Sequence, residues 1–147
     1  MERALKRFAG NVRLVLYPFV LNATSYVATQ AALCAGEQGK FWEFHRMLYA
    51  RQALWRHLQD PLPRLLEFAT DLGVDTTALQ RCVQSGRMQR LIKADLEYGR
   101  SLQVHSTPTL FINERRIVGA HPEAELVRVI RQELTRARRT TNPGRGG

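Results

Sequence analysis

The chain has 147 residues, of which 44% are apolar and 24% are charged, and this length and composition suit one globular domain with a hydrophobic core. No apolar run approaches the roughly 18 residues that a membrane-spanning helix needs, and residues 1–10 lack the hydrophobic stretch of an export signal. The net charge of +9 attracts anions, but the arginines are spread over every predicted helix without a recognised binding motif, so we do not expect nucleic-acid binding.

The N-terminal part predicts the end of a helix followed by a strand. Residues 5–9 have helical character, and Gly10-Asn11 is well suited to the left-handed cap that terminates a helix. Residues 12–17, VRLVLY, are short, rich in β-branched side chains and apolar on both faces. Such a run predicts a buried strand of the parallel kind, which Pro18 ends.

Five helices are predicted next, within an insertion of about residues 22–103. Apolar side chains recur there at helical spacing in five stretches, at 27–35, 41–49, 65–72, 79–83 and 88–102. The second stretch is rich in aromatic residues. Phe41, Trp42 and Phe44 could line a peptide groove, but aromatic residues at helical spacing are more typical of a core.

A hairpin and a last helix complete the pattern. Residues 109–113 and 116–118 predict two short strands joined by a tight turn at 113–115. The last helix begins at Pro122, and residues 136–147 predict a disordered basic tail because they are rich in Gly, Pro and Arg. One α/β domain of residues 1–135 with a helical insertion is therefore the predicted architecture.

The residues that could hold a metal ion or act as nucleophiles are few. Two cysteines, Cys34 and Cys82, lie far apart, and the four histidines pair neither at i, i+4 nor with a nearby cysteine. We therefore predict no metal site and no cofactor. Both cysteines fall late in apolar helical stripes, whereas a reactive thiolate favours a helix N-terminus or a cationic neighbour.

Four segments carry a resemblance to a known family. They are VRLVLYPF at 12–19, AALCAGEQGKFWEFH at 31–45, ADLEYGRSLQV at 94–104 and STPTLFINERRIVGA at 106–120. Together they resemble the DsbA-like branch of the thioredoxin superfamily, over residues 3–135. The resemblance implies a thioredoxin-like α/β fold with an all-helical insertion between a strand at 12–17 and the hairpin at 109–118.

The same resemblance implies a substrate site before the hairpin. In this family the proline that follows the helical insertion has a cis peptide bond, and Pro108 takes that place. Ser106, Thr107 and Pro108 would then face an extended protein or peptide substrate. Considered without the family, Thr107-Pro108 is also compatible with the start of an edge strand, where proline is tolerated.

One family feature is absent from this sequence. Relatives begin with a strand and a Cys-X-X-Cys at the N-terminus of the first helix, and this chain has no Cys-X-X-Cys. The family's first strand lies between the strands that resemble residues 12–17 and 109–113, so its loss would leave unpaired backbone groups. We expect that the native chain is longer, or that another segment or a second copy completes the sheet.

For the two cysteines the resemblance adds a further interpretation. Some extracytoplasmic relatives have a structural disulfide between the first and fourth helices of the insertion, which would join Cys34 to Cys82. Two separate buried thiols are the alternative, because free cysteine is often a small buried hydrophobe.

The function implied by the resemblance is protein thiol:disulfide exchange outside the cytoplasm, with no catalytic residue present in this chain and with a redox partner protein. An alternative of a different class is a redox-inactive thioredoxin-fold module that binds a peptide or a partner subunit. A third interpretation, a glutathione-transferase-like isomerase, fits the TPTLFIN and QGKFW segments less well.

Overall fold

A computed structural model of the chain describes residues 4, 5 and 7–141 and divides them into two compact units. The helical unit comprises Tyr17–Leu102, and the hairpin unit comprises the described residues of Met1–Leu16 and Gln103–Gly147. The helical unit covers nearly the same residues as the predicted insertion. Within the described ranges, no helix combines the length and hydrophobicity needed to cross a bilayer.

The helical unit contains the five predicted helices. They are α1 at Ala23–Gly36, α2 at Phe41–Ala50, α3 at Leu62–Asp71, α4 at Thr76–Gln84 and α5 at Gln89–Ser101, with a 3₁₀ turn at Gln52–Leu54 after α2. Side-chain caps begin two of them, because the carboxamide oxygen of Asn22 accepts from the Ser25 N–H at 2.8 Å and the Asp75 carboxylate accepts from the Ala78 N–H at 2.9 Å. Each cap satisfies a backbone donor that the first helical turn leaves open.

The apolar stripes of these helices meet in one core. Its most completely buried large side chains are Phe44, Leu65, Phe68 and Leu79. Trp55 is also buried, and its indole N–H donates to the Leu48 carbonyl at 2.9 Å, so its polar atom is satisfied. Phe44 therefore belongs to the core, as the helical spacing predicted.

The hairpin unit consists mainly of two strands and a helix. Strand β1, Thr109–Ile112, pairs antiparallel with β2, Arg115–Val118, and Thr109 lies opposite Val118. Helix α6, Glu123–Thr141, covers one face of this hairpin, where Ile117 packs with Leu126 and Val129. The sequence pattern of a hairpin followed by a helix is thus present, with Asn113 in the left-handed conformation at φ 54° in the turn.

Residues 12–17 differ from the prediction because they form no strand. Among the residues that the structure describes, β1 and β2 are the only members of the sheet. Val12 packs against the cluster of Phe8, Val127 and Ile130, whereas Val15 is 51% exposed. A strand requires backbone pairing with a neighbouring strand, and none of the described residues offers that pairing to this segment.

The predicted disordered tail at 136–147 also differs from the structure, in its first half. Helix α6 continues through Thr141. Arginine and alanine are strong helix formers, and residues 136–139 consist only of these two types. The rest of the predicted tail, residues 142–147, lies outside the described residues.

Candidate functional site

The segment that directly precedes β1 contains the predicted substrate site. The Thr107–Pro108 peptide bond is cis. Ser106, Thr107 and Pro108 are all exposed, and we refer to residues 106–108 as the proline loop. The loop belongs to the hairpin unit, so its geometry is set by contacts within that unit.

Two of the three carbonyl groups in the proline loop are held by the hairpin. The Pro108 carbonyl accepts from the Gly119 N–H at 2.8 Å, and the Ser106 carbonyl accepts from the Thr109 hydroxyl at 2.7 Å. Gly119 has φ +90°, which an L side chain rarely adopts, so glycine is needed to present its N–H in this way. The end of β2 therefore fixes the conformation of the loop.

Thr107 differs from its neighbours in the loop. Neither its N–H nor its carbonyl has a hydrogen-bond partner within the part of the chain that the structure describes. These two groups belong to one residue in an exposed segment that is anchored on both sides. An extended peptide lying alongside could both donate to and accept from Thr107, as in the addition of a strand to a sheet.

Arg116 connects the hairpin to the segment that precedes the proline loop in sequence. The guanidinium group of Arg116 donates to the Gln103 carbonyl. The same group lies 5.8 Å from the centre of the Phe111 ring, and Phe111 is the residue that pairs with Arg116 in the sheet. Gln103 has φ 55°, so this arginine binds a backbone position of unusual conformation. Arg116 was not predicted as a functional residue, although its place opposite an aromatic residue in the predicted hairpin was a usable signal.

The sheet face that carries Arg116 is open. Phe111 is 44% exposed and Val118 is 51% exposed, whereas Ile117 on the opposite face is buried against α6. The strands therefore have one packed face and one face available to a partner. That open face lies in the same unit as the proline loop.

A second interaction that was not predicted from the sequence lies at the entry to α6, between His121 and Glu125. His121 Nδ1 lies 2.9 Å from Glu125 Oε2, and Nε2 lies 3.0 Å from the Val118 carbonyl oxygen. Both neighbours are acceptors, so the doubly protonated ring satisfies both. The hydrogen bond with Glu125, followed by that with Val118, raises the pKa of His121, and the same bond with His121 lowers the pKa of Glu125.

This pair predicts a pH dependence of stability for the hairpin unit. The folded state raises the pKa of His121. The contribution of His121 to the free energy of unfolding is therefore complete below its ordinary pKa of 6.5, and it is lost as pH rises through the folded pKa. For Glu125 the folded state lowers the pKa, so the pH dependence is reversed. Its contribution to the free energy of unfolding is complete above its ordinary pKa of 4.5 and is lost as pH falls through the folded pKa. We expect the urea midpoint to fall between about pH 6 and pH 9 in the parent protein more than in His121→Gln.

The matched control for that measurement is Glu125→Gln, which keeps the histidine but removes the carboxylate. Nuclear magnetic resonance titration of His121 should give a pKa above 6.5 in the parent protein and a lower one in Glu125→Gln. A parent His121 that titrates below 6.5 would contradict the assignment.

Cys34 and Cys82 are placed together in the helical unit. Their sulfur atoms are bonded, their Cα atoms are 5.9 Å apart, and each residue is 1% exposed. The bond joins α1 to α4. Since thiol–disulfide exchange requires an attacking thiolate to reach the sulfur, a bond this deeply buried suits a structural role.

The described residues contain no cluster of His, Cys, Asp or Glu side chains that could hold a metal ion. The candidate site of this chain is therefore the proline loop of the hairpin unit, while the disulfide belongs to the core of the helical unit. The proline loop is suited to binding a polypeptide backbone, and its own side chains provide a hydroxyl group at Ser106 and at Thr107 but no thiol.

Comparisons with known proteins agree with this architecture. The family model Thioredoxin_4, described as thioredoxin, matches residues 2–132, which is most of the chain. The chain belongs to the DsbA-like thioredoxin-fold family that this model represents. The family resemblance and the fold class predicted from the sequence are both confirmed.

Curated relatives come from several bacteria and carry the name of a transport protein. The chain is similar to the Na(+)/H(+) antiporter NhaA 1 of Salinispora arenicola, at 35% identity over 65% of the chain and 14% of the antiporter. It is also similar to NhaA 3 of Salinispora tropica, at 31% identity over 81% of the chain and 18% of the antiporter. For NhaA of Herminiimonas arsenicoxydans the identity is 27% over 90% of the chain and 20% of the antiporter. The chain thus spans a fifth or less of the length of these relatives.

Proposed function

We propose that this chain supplies the substrate-binding part of a DsbA-like thiol:disulfide oxidoreductase, in which the proline loop binds an extended polypeptide. The observation that carries the proposal is the exposed Thr107, whose N–H and carbonyl have no partner among the described residues while the carbonyls on either side are held. A preorganised backbone of this kind can bind many sequences, because it uses the peptide groups that all substrates share.

The chemistry of such an enzyme needs a reactive cysteine pair that this sequence does not contain. In the proposed reaction a disulfide of that pair is attacked by a substrate thiolate, giving a mixed disulfide, and a second substrate thiolate then releases the reduced pair. The role of the proline loop is to hold the substrate backbone during the exchange. Neither Cys34 nor Cys82 takes part, because both are buried in the structural disulfide.

The proposed location is outside the cytoplasm. A disulfide that contributes to a domain core is maintained in oxidising compartments, whereas cytoplasmic thiols are kept reduced. The Cys34–Cys82 bond therefore supports an extracytoplasmic site of action. The antiporter function of the relatives is not carried over, since this chain matches a fifth or less of them.

An added strand is part of the same proposal. Residues 12–16 have no pairing partner in the described chain, and β1 pairs with β2 on one side only. Exposed apolar side chains accompany these unpaired edges at Val15 and Phe111. We propose that a further strand completes the sheet, supplied by a longer native chain, by another segment or by a second copy of the chain.

The second candidate function is a redox-inactive module that binds a partner protein. The open sheet face with Phe111 and Val118 favours it, because a partner could cover that face without any thiol chemistry. The genomic sequence upstream of Met1 distinguishes the two candidates. An in-frame strand followed by Cys-X-X-Cys supports the enzyme, whereas a ribosome-binding site immediately before Met1 supports the module.

The peptide-binding proposal can be tested with Gly119→Ala. An alanine at φ +90° is strained, although nothing lies within 4 Å of the added methyl group, so the Gly119 N–H should move away from the Pro108 carbonyl. We expect the affinity for an unfolded, cysteine-free peptide to fall about tenfold, as for the loss of one well-placed hydrogen-bonded contact. Titration of the labelled protein with peptide, followed at the Thr107 amide resonance, measures the affinity.

Gly73→Ala is the matched control. Gly73 also has a positive φ of 67° with nothing within 4 Å of an added Cβ, but it ends α3 in the helical unit. This variant should lose a similar amount of stability and keep its peptide affinity. Equal loss of affinity in both variants, or no shift of the Thr107 resonance in the parent protein, argues against the proline loop as the binding site. Dithiol-dependent reduction of insulin by the chain alone would refute the prediction that it has no redox activity of its own.

A further inference from the structure

Helix α6 carries its arginines on one side. At 3.6 residues per turn, five arginines fall within an arc of roughly 160° around the helix axis. We call this surface the arginine face, and it consists of Arg128, Arg131, Arg136, Arg138 and Arg139. All five residues are exposed. The residues that α6 buries lie on the opposite side, and they are Leu126, Val127, Val129, Ile130 and Glu133.

Acidic side chains are scarce along this part of α6. From residue 126 to residue 139 the single acidic side chain is Glu133, which is 7% exposed and therefore lies on the buried side. Arg128 lies 3.9 Å from Glu125, and Arg136 lies 3.7 Å from Glu114, and both are exposed pairs at long distance. Arg131 and Arg139, by contrast, have no ion-pair partner among the residues that the structure describes.

Three arginines of this surface line the same depression. An open depression of about 350 Å³ is lined by Arg131, Gln132, Thr135, Arg136 and Arg139. Guanidinium groups bind phosphate oxygens in a bidentate manner. The side-chain amide of Gln132 accepts from Arg115 through its oxygen, so its N–H groups can donate to the same anion. The depression is therefore lined in part by side chains of a type that binds phosphate.

We propose that the arginine face binds the anionic phospholipid headgroups of a membrane surface. The face follows α6 for roughly 17 Å between residues 128 and 139, so its cations can approach a flat layer of phosphates together. Binding of this kind needs no insertion of apolar side chains. It places the hairpin unit, which carries the proline loop, at the bilayer surface.

The alternative polyanion is nucleic acid, and two observations favour the lipid. Residues 128–139 contain no aromatic side chain on which a base could stack. The buried Cys34–Cys82 bond supports the extracytoplasmic location proposed above, on which this choice of partner rests. Anionic lipid headgroups attract basic segments of proteins at a membrane surface.

Vesicle sedimentation tests the proposal with the unmodified chain. The protein should bind phosphatidylcholine vesicles that contain about a third phosphatidylglycerol, and should not bind pure phosphatidylcholine. Binding should weaken as salt rises from about 0.05 M to about 0.5 M, because the Debye length shortens. Since each cation near an anionic surface contributes roughly fivefold in affinity, Arg131→Gln with Arg139→Gln should weaken binding about 20-fold to 30-fold.

Arg90→Gln with Arg100→Gln is the matched control. These two exposed arginines lie on α5, so the control loses the same net charge from a different helix. It should bind the anionic vesicles within about twofold of the parent protein. Equal weakening in the two double variants would overturn the proposal, since general basicity would then explain binding. Tighter binding to duplex DNA than to the vesicles at the same salt would overturn it as well.

The lipid test and the peptide test fail independently. Arg131 and Arg139 belong to α6, and among the described residues neither forms a hydrogen bond or ion pair with the proline loop, so their substitution should leave the peptide affinity unchanged. If the parent protein binds peptide but not anionic vesicles, only the membrane-binding proposal is contradicted. If it binds anionic vesicles but not peptide, only the proposed function is contradicted.

Discussion

Replacing both cysteines, Cys34→Ala with Cys82→Ala, should lower the free energy of unfolding by about 4 kcal/mol. The bond joins residues 48 apart in sequence, and a cross-link over a loop of this length removes that much chain entropy from the unfolded state. Both cysteines lie in the same core as Phe44 and Phe68, so the loss should appear in the helical unit. Urea denaturation followed by far-ultraviolet circular dichroism, in oxidising buffer, measures it.

Reduced parent protein is the control that separates the cross-link from the packing of the two side chains. It keeps both sulfur atoms and lacks only the bond, so it should account for most of the loss seen in the double variant. The parent should also resist a reductant until it unfolds, because each cysteine is 1% exposed. Counting thiols in denatured, oxidised protein provides the decisive check, since two free thiols would rule the bond out.

Much of the helical unit follows from local sequence. The apolar stripes that predicted five helices are also the stripes that meet in the core, and Asp75 begins α4 as a capping residue should. Phe44 could be assigned to the core for the same reason. In each case the deciding information lies within about two turns of helix, which is why the sequence alone was sufficient.

Features that depend on residues distant in sequence were harder to predict from the sequence. Residues 12–17 have the composition of a strand, but composition does not provide the neighbour with which a strand pairs. Likewise, the sequence left Cys34 and Cys82 as either bonded or separate, because only the packing of α1 against α4 brings their Cα atoms to 5.9 Å.

In the candidate site, too, the local motif could be predicted from the sequence and the long-range contact could not. Thr107-Pro108 was identified from its motif, whereas the contact of Arg116 with the Gln103 carbonyl depends on how the chain approaches the hairpin. The last turns of α6 were missed for a different reason. Residues 136–139 are followed in sequence by glycines and a proline, which favour disorder, although the types of residues 136–139 themselves favour helix.

Phe44→Ala should be the most damaging single substitution among the aromatic residues of α2, with a loss of about 3–5 kcal/mol in the free energy of unfolding. Phe44 is fully buried in the core of the helical unit, so the variant loses transfer free energy and leaves a cavity that the packed helices cannot fill. Phe44→Leu should lose about 1–2 kcal/mol, because leucine fills much of the same volume. Equilibrium urea denaturation of both variants measures the losses.

Tyr49→Ala is the matched control on the same helix. Tyr49 is 68% exposed and touches the His45 ring at a centroid distance of 5.0 Å, so its removal should change stability by less than about 1 kcal/mol. The contrast separates the two interpretations of the aromatic run, because side chains of a peptide groove would affect binding more than folding. A small loss in Phe44→Ala together with weakened peptide binding would therefore favour the groove, whereas a large loss with the Tyr49 variant unaffected assigns Phe44 to the core.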